Sequence, residues 1–214
     1  YKGAEEMDDA ITVERGLTKR FRKNLRRPFI EALQEFSMTS PDDRILVLVS
    51  PNAQSVLLAK LMQLLAAYSD FPLTVEFCAD EPSPAFENLG IPVSEPCGEY
   101  DKTAVDDCFD DVCTSTLENI VYNGKAATLP PKSGKTIRPL CYIKRRHIAM
   151  WAEFHGLAYE SKKSPADALY AELTSEIFDA DIRLFRALTT ADSRYFLGWM
   201  DENGVHHGCE PLEM

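Results

Sequence analysis

The chain has 214 residues, 45% of them apolar and 27% charged, and its 34 acids against 23 bases give a formal charge of −11. A chain of this length buries roughly 70% of its unfolded surface and folds without a metal or disulfide framework. The balance excludes bulk disorder, a collagen-like repeat and a disulfide scaffold. The acidic total disfavours indiscriminate binding to nucleic acid or membrane by the molecule as a whole.

Residues 1–14 read as an acidic lead-in without the apolar run of a targeting segment. An apolar stripe at helical spacing then begins, with Leu17, Phe21, Leu25, Phe29 and Leu33. Pro28 inside one continuous helix would cost about 3 kcal/mol. The spacing therefore predicts a helix to about Arg26 and a second one with Pro28 at its first position, ending near Phe36. After a turn at Ser40–Asp43, the unbroken run Ile45–Val49 has the composition of a central parallel strand covered on both faces. A polar loop, Ser50 to Gln54, leads into a helix over Ser55–Tyr68. Leu73–Cys78 reads as a second strand and Ile91–Val93 as a short third. Strand, loop, helix and strand at these lengths form a βαβ unit, so the class is α/β with a parallel sheet. Further along, Thr103–Val105 reads as a strand, Asp111–Tyr122 as a helix and Ile137–Leu140 as an edge strand. An amphipathic helix follows over Ile143–His155, with Ile143, Ile148, Trp151 and Phe154 inward. Residues 165–191 are helical, and 195–207 form a hairpin. The most apolar stretch, Val56–Tyr68, is far short of the ~20 residues a membrane span needs.

Ligands in open α/β sheets sit beyond the carboxyl ends of the strands, which directs attention to Ser50-Pro51-Asn52-Ala53-Gln54-Ser55. A phosphate cradle points successive backbone N–H groups inward and usually needs glycine at positive φ. This loop has no glycine, and Pro51 lacks an N–H. It reads as a strand-to-helix turn capped by Ser55 or Asn52. The Gly134-Lys135-Thr136 triplet has Leu129 where a Walker loop needs glycine, and strand-like Ile137 follows it. Asp106, Asp107, Asp110 and Asp111 crowd around Cys108, either as caps of the following helix or as a functional carboxylate cluster. The six cysteines include no C-x-x-C pair and read as free thiols of a reducing cytoplasm. No iron–sulfur cluster or zinc site is expected from their scattered positions. Bases are uneven: Arg15 to Arg27 holds seven and no acid, on an otherwise acidic body. That helix suits an RNA-facing patch through Lys19, Arg22, Lys23, Arg26 and Arg27, or a contact with acidic surface of this chain or a second subunit.

From about Leu17 to Met200 these pieces resemble the PP-loop ATPases that thiolate tRNA, of the 2-thiocytidine type. "LTKRFRKNLRRPFIEAL" is similar to that family's basic lead helix, and "RILVLVSPNAQSVLLAKLMQLL" to its strand, S-G-G-x-D-S loop and helix. "FDDVCTSTLENIVYNGKAATLPPK" resembles the H-H-x-D-D segment and M-P-P-K stretch, and "IRPLCYIKRRHIAMWAEFHGL" the R-P-L strand and following helix. The resemblance implies a PP-loop (adenine nucleotide alpha hydrolase-like) parallel sheet flanked by helices. In the family the glycine-rich loop binds ATP, the target base is adenylated, and a cysteine-based centre, often with an iron–sulfur cluster, supplies sulfur. Carried over by position, Ser50 and Ser55 match the loop serines, and Pro51 and Asn52 replace its glycines. Gln54 stands where the loop aspartate would be. Asp110 and Asp111 match the paired acids, Asp107 and Cys108 occupy the histidine positions, and Lys132 and Arg138 match the late basic positions. The C-x-x-C centre and its helix are missing.

The expectation is a trimmed PP-loop domain over residues 40–158, with a basic helical segment at 1–39 and a helical extension with hairpin at 159–214. Its remnant nucleotide site comprises Ser50, Asn52, Gln54, Ser55, Asp110, Asp111, Lys132 and Arg138. Binding of ATP with magnesium is expected to be weak. The leading reading is a catalytically silent cytoplasmic relative that keeps a role toward tRNA, a nucleotide or an active paralogue. The alternatives are an active enzyme with an altered loop and an interaction subunit without nucleotide. Nine residues, Ser94 to Lys102, must carry the chain across three strand positions without a helix. They reach ~30 Å extended, enough for the crossing. Part of one sheet face then stays uncovered, which with the basic helix suggests a homodimer.

Overall fold

The structure is a computed structural model, and it describes residues 11–79, 83–190, 198–200 and 205–208. Two compact units result, 1–170 and 171–214.

Helix α1 (residues 11–18) passes through a turn at 19–21 into a π-helical segment, Arg22–Arg26, that runs directly into α2 (Arg27–Glu35). The boundary falls where expected, at Arg26 with Pro28 in the first turn of α2, but the backbone stays helical through it. Proline removes one N–H and crowds the carbonyl four residues back, and the wider π turn ahead of it absorbs both defects without stopping the helix. The stripe Leu17, Phe21, Leu25, Phe29 and Leu33 is buried throughout, as its spacing predicts.

Five strands form the main sheet: β1 (Arg44–Leu48), β2 (Thr74–Cys78), β3 (Lys102–Ala104), β4 (Lys132–Ser133) and β5 (Thr136–Ile137). Their order is β2-β1-β3-β5-β4, parallel except for β4. The predicted third strand shrinks to a single parallel bridge between Phe77 and Val93, at the outer side of β2. Strand β5 is interior and β4 takes the edge, because the Gly134-Lys135 turn folds a hairpin there; Gly134 has φ +55°. That hairpin disposes of the G-K-T as a phosphate loop.

Helix α3 (Ala53–Tyr68) returns the chain from β1 to β2 and packs against both and against α6 (Arg145–Phe154). It is buried on nearly every side, including Lys60, whose ammonium reaches the Leu89 carbonyl at 2.9 Å and Glu14 at 3.3 Å. Burial lowers the Lys60 pKa against the pull of Glu14. Helix α4 is a short turn (Pro84–Asn88), and α5 (Phe109–Val121) follows β3. In α6, Ile148 and Trp151 point inward as expected, but Phe154 is half exposed. It lies off the stripe and carries the Arg20 guanidinium over its ring at 4.1 Å.

The helical region predicted at 165–191 is built of two helices, α7 (Asp167–Glu176) and α8 (Ala180–Thr189). Asp179 at φ +54° breaks them. The hairpin pairs β6 (Gly198–Met200) with β7 (His206–Gly208) antiparallel; its turn lies outside the described residues. Among the described residues no helix is long and apolar enough to cross a membrane.

The sheet faces differ. Ile45, Val47, Phe77, Ala104 and Ile137 share one face and are buried. On the other, Leu48 is 45% exposed and Leu46, Cys78 and Val105 are half-buried, which corrects the expectation of a β1 covered on both faces. The cause is the crossing link. It spans without a helix and is tied to the strand starts: Arg44 donates to the carbonyls of Glu99 and Cys97 at 3.1 and 3.0 Å, and Tyr100 donates to Glu76 at 2.9 Å. Toward the carboxyl end of that face Leu48 is the most exposed of these side chains.

Candidate nucleotide-site remnant and basic groove

The loop after β1 opens α3 with Asn52 as its cap: the Asn52 carboxamide oxygen accepts from the Gln54 N–H at 3.1 Å. The Ala53 N–H donates to the Ala158 carbonyl at 3.0 Å, and the Ser50 N–H to the Ser55 hydroxyl at 2.9 Å. Three backbone donors that a phosphate would use at a helix N-terminus are therefore engaged within the chain. Pro51 supplies none.

Gln54 is 1% exposed and does structural work. Its amide nitrogen donates at 2.7 Å to both the Asp106 carbonyl and the Asp111 carboxylate. Asp111, 4% exposed, is saturated: one oxygen takes Gln54 and the Cys108 N–H at 2.9 Å, and the other takes Arg145 Nε and Nη2 at 3.1 and 2.7 Å. With Cys108 it forms the capping box of α5, so the capping reading holds for this acid. Asp110 accepts from the Arg145 N–H at 2.7 Å and the Tyr170 hydroxyl at 3.2 Å. Burial opposes the Arg145 charge, but Asp111 and Asp167 outweigh it and raise its pKa.

Asp106 and Asp107 do no capping. Lys162 Nζ lies 2.7 Å from Asp106 Oδ1 and 2.6 Å from Asp107 Oδ1, and Arg138 Nε takes the other Asp107 oxygen at 2.9 Å. Asp106, Asp107 and Lys162 rim a cleft of about 350 Å³ with Leu48, Val49, Ser50, Ser55, Cys78 and Val105.

Of the sequence-predicted residues, Ser50, Asn52, Gln54, Ser55, Asp110, Asp111 and Arg138 thus belong to this linked region at the carboxyl ends of β1 and β3. Lys132 does not: on β4 it donates to the Ser37 carbonyl at 2.7 Å, at the end of α2. Sequence reasoning missed Lys162 and Arg145, which complete the charge network from 34 to 56 residues away. The doublet Lys162-Lys163 carries no local pattern that separates the bridging lysine from its exposed neighbour.

The basic residues converge as well. Lys19, Arg22, Lys23, Arg26 and Arg27 line an open groove of about 660 Å³ with Ile30, Glu31 and Gln34. Arg27 pairs with Glu31 at 2.8 Å, while the other four cations make no ion pair with any described residue.

Among the described residues no three His, Cys, Asp or Glu groups are placed to hold one metal. Burial, with Asp111 close by, pushes the Cys108 thiol well above its usual range, and burial pushes Cys141 up to about 12. Cys209 lies outside the described residues. Of the described cysteines, Cys97, exposed, is expected to react first with iodoacetamide, and the buried Cys108, Cys113 and Cys141 only on unfolding. Peptide mass spectrometry of the native and urea-treated chain checks this.

No family model matches the chain. It is 26% identical over 184 aligned positions to the tRNA-cytidine(32) 2-sulfurtransferase of Neisseria meningitidis (FAM18), covering 61% of this chain and 57% of that protein. To the protein of that name from Bdellovibrio bacteriovorus it is 27% identical over 200 positions, covering 68% and 76%. The chain thus spans little more than half the length of the Neisseria relative. In fold it is similar to the U34-tRNA thiolase NcsA of Methanococcus maripaludis, solved with its 4Fe–4S cluster, at a TM-score of 0.57 and 16% identity over 80% of this chain and 79% of that one. Parallel sheet, element order and sequence are all similar to those of the PP-loop tRNA-thiolating proteins.

Proposed function

We propose that the chain is a tRNA-binding member of this family that neither adenylates nor thiolates its RNA. The carrying observation is the occupied cradle: the N–H groups of Ser50, Ala53 and Gln54 are bonded to Ser55, Ala158 and Asn52. A triphosphate would have to displace these bonds and would meet Asp106 and Asp107 at the cleft rim. The basic groove supports the RNA half of the reading, since Lys19, Arg22, Lys23 and Arg26, which have no ion-pair partner among the described residues, offer phosphate contacts that need no base readout. Incubation with ATP, magnesium and bulk tRNA is expected to release no pyrophosphate above the protein-free rate, whereas the same tRNA is retained in a filter assay at low salt. Pyrophosphate release that scales with protein would refute the silent-site half; failure to retain tRNA would refute the other.

The half-open sheet face supports a second element of the proposal, a homodimer that covers Leu46, Leu48 and Val105. Light scattering at micromolar concentration is expected to return twice the chain mass, and a monomer would remove this element.

A further inference from the structure

We infer that Lys162 is a built-in cation for the Asp106–Asp107 pair, standing where a divalent ion would otherwise bridge the two carboxylates. This goes beyond the proposed function and does not depend on RNA binding. Both carboxylates are largely buried, with 17% and 15% side-chain exposure, and their Oδ1 atoms converge on one ammonium at 2.7 and 2.6 Å. Arg138 holds Asp107 from the opposite oxygen, which fixes the direction of that convergence.

The lysine arrives on an irregular strap, residues 156–163, that is pinned beside the cleft independently of its charge. The Ala158 carbonyl takes the Ala53 N–H at 3.0 Å, the Glu160 carbonyl takes Asn52 Nδ2 at 2.6 Å, and the Lys162 carbonyl takes Arg145 Nη2 at 3.0 Å. Three backbone anchors thus deliver one side chain to a preformed acidic pair. Burial opposes the ammonium, but Asp106 and Asp107 outweigh it and raise its pKa, so the charge persists across the physiological range. A hard cation takes oxygen ligands, and a carboxylate pair with its lysine removed is such a donor set.

The test titrates Mn²⁺ into the wild type and into Lys162→Met and Lys162→Gln, reading free ion by electron paramagnetic resonance. Both variants should bind the ion saturably, with a Kd on the order of 1 mM or tighter, and the wild type at least about tenfold more weakly. Adding Asp106→Asn to Lys162→Met should return binding to the wild-type level. A variant with native circular dichroism and no gain in Mn²⁺ affinity overturns the inference. The wild type also tests it alone: selective Mn²⁺ broadening of the Ser50, Asp106 and Asp107 amide signals at submillimolar ion would show that Lys162 does not exclude a metal, and would overturn it even if both variants failed to fold.

Discussion

Replacing Asp111 by alanine is expected to lower the unfolding free energy by about 3–5 kcal/mol. The side chain is 4% exposed and accepts four hydrogen bonds: from the Cys108 N–H, Gln54 Nε2 and two nitrogens of Arg145. Its removal leaves the Arg145 guanidinium, 17% exposed, with Asp167 as its remaining carboxylate and uncaps the first turn of α5. An unbalanced buried charge costs more than the pair itself contributes, which puts the loss at the upper end for single substitutions. Asp111→Asn keeps the volume but turns an acceptor into a donor that faces Arg145 or Gln54, so it should also destabilise. Urea unfolding followed by circular dichroism gives both numbers. A loss under about 1 kcal/mol for alanine would mean that Asp111 is not the hub of this network.

Changing Lys19, Arg22, Lys23 and Arg26 together to alanine should weaken tRNA binding by roughly 10²-fold at 50 mM salt and make its salt dependence shallower by about three to four in log–log slope. These four line one groove and have no ion-pair partner among the described residues, so their charge is available to phosphate. Lys19, Arg22 and Lys23 are exposed and Arg26 half-buried, while the buried stripe Phe21, Leu25 and Phe29 is left intact. Stability should therefore change little. Filter binding across a salt series, with light scattering on the same samples, separates two roles for the helix. Lost tRNA binding with unchanged mass assigns the groove to RNA. Unchanged binding with altered mass assigns it to subunit contact instead.

Much of the fold was legible because it is written locally. Ile45–Val49, the helix over 55–68 and Leu73–Cys78 each carry their own periodicity, and the structure builds β1, α3 and β2 within a residue or two of those limits. The short link before Lys102 was also readable, since its length forbids a covering helix; the half-open face follows. Less legible were features decided by distant partners. Leu46 and Leu48 are as apolar as Val47, and only what packs above each of them decides its exposure. Pro28 signalled the boundary at Arg26 but not that a π-helical segment would carry the backbone through it.

The site shows the same division. The loop's lack of glycine and the Asn52 cap were visible in six residues. That Gln54 would turn inward to bond Asp111, and that Lys162 would close on Asp106 and Asp107, depends on side chains 55 to 57 positions apart. Lys132 failed for the opposite reason: its place in the order of motifs was right, but β4 carries it to the carbonyl of Ser37.

Calorimetric titration with ATP and magnesium asks whether the loop after β1 can hold a triphosphate. With the Ser50, Ala53 and Gln54 N–H groups already bonded, no saturable heat is expected up to millimolar nucleotide. Saturation with a micromolar dissociation constant, abolished by substitution of Ser50 or Ser55, would contradict it.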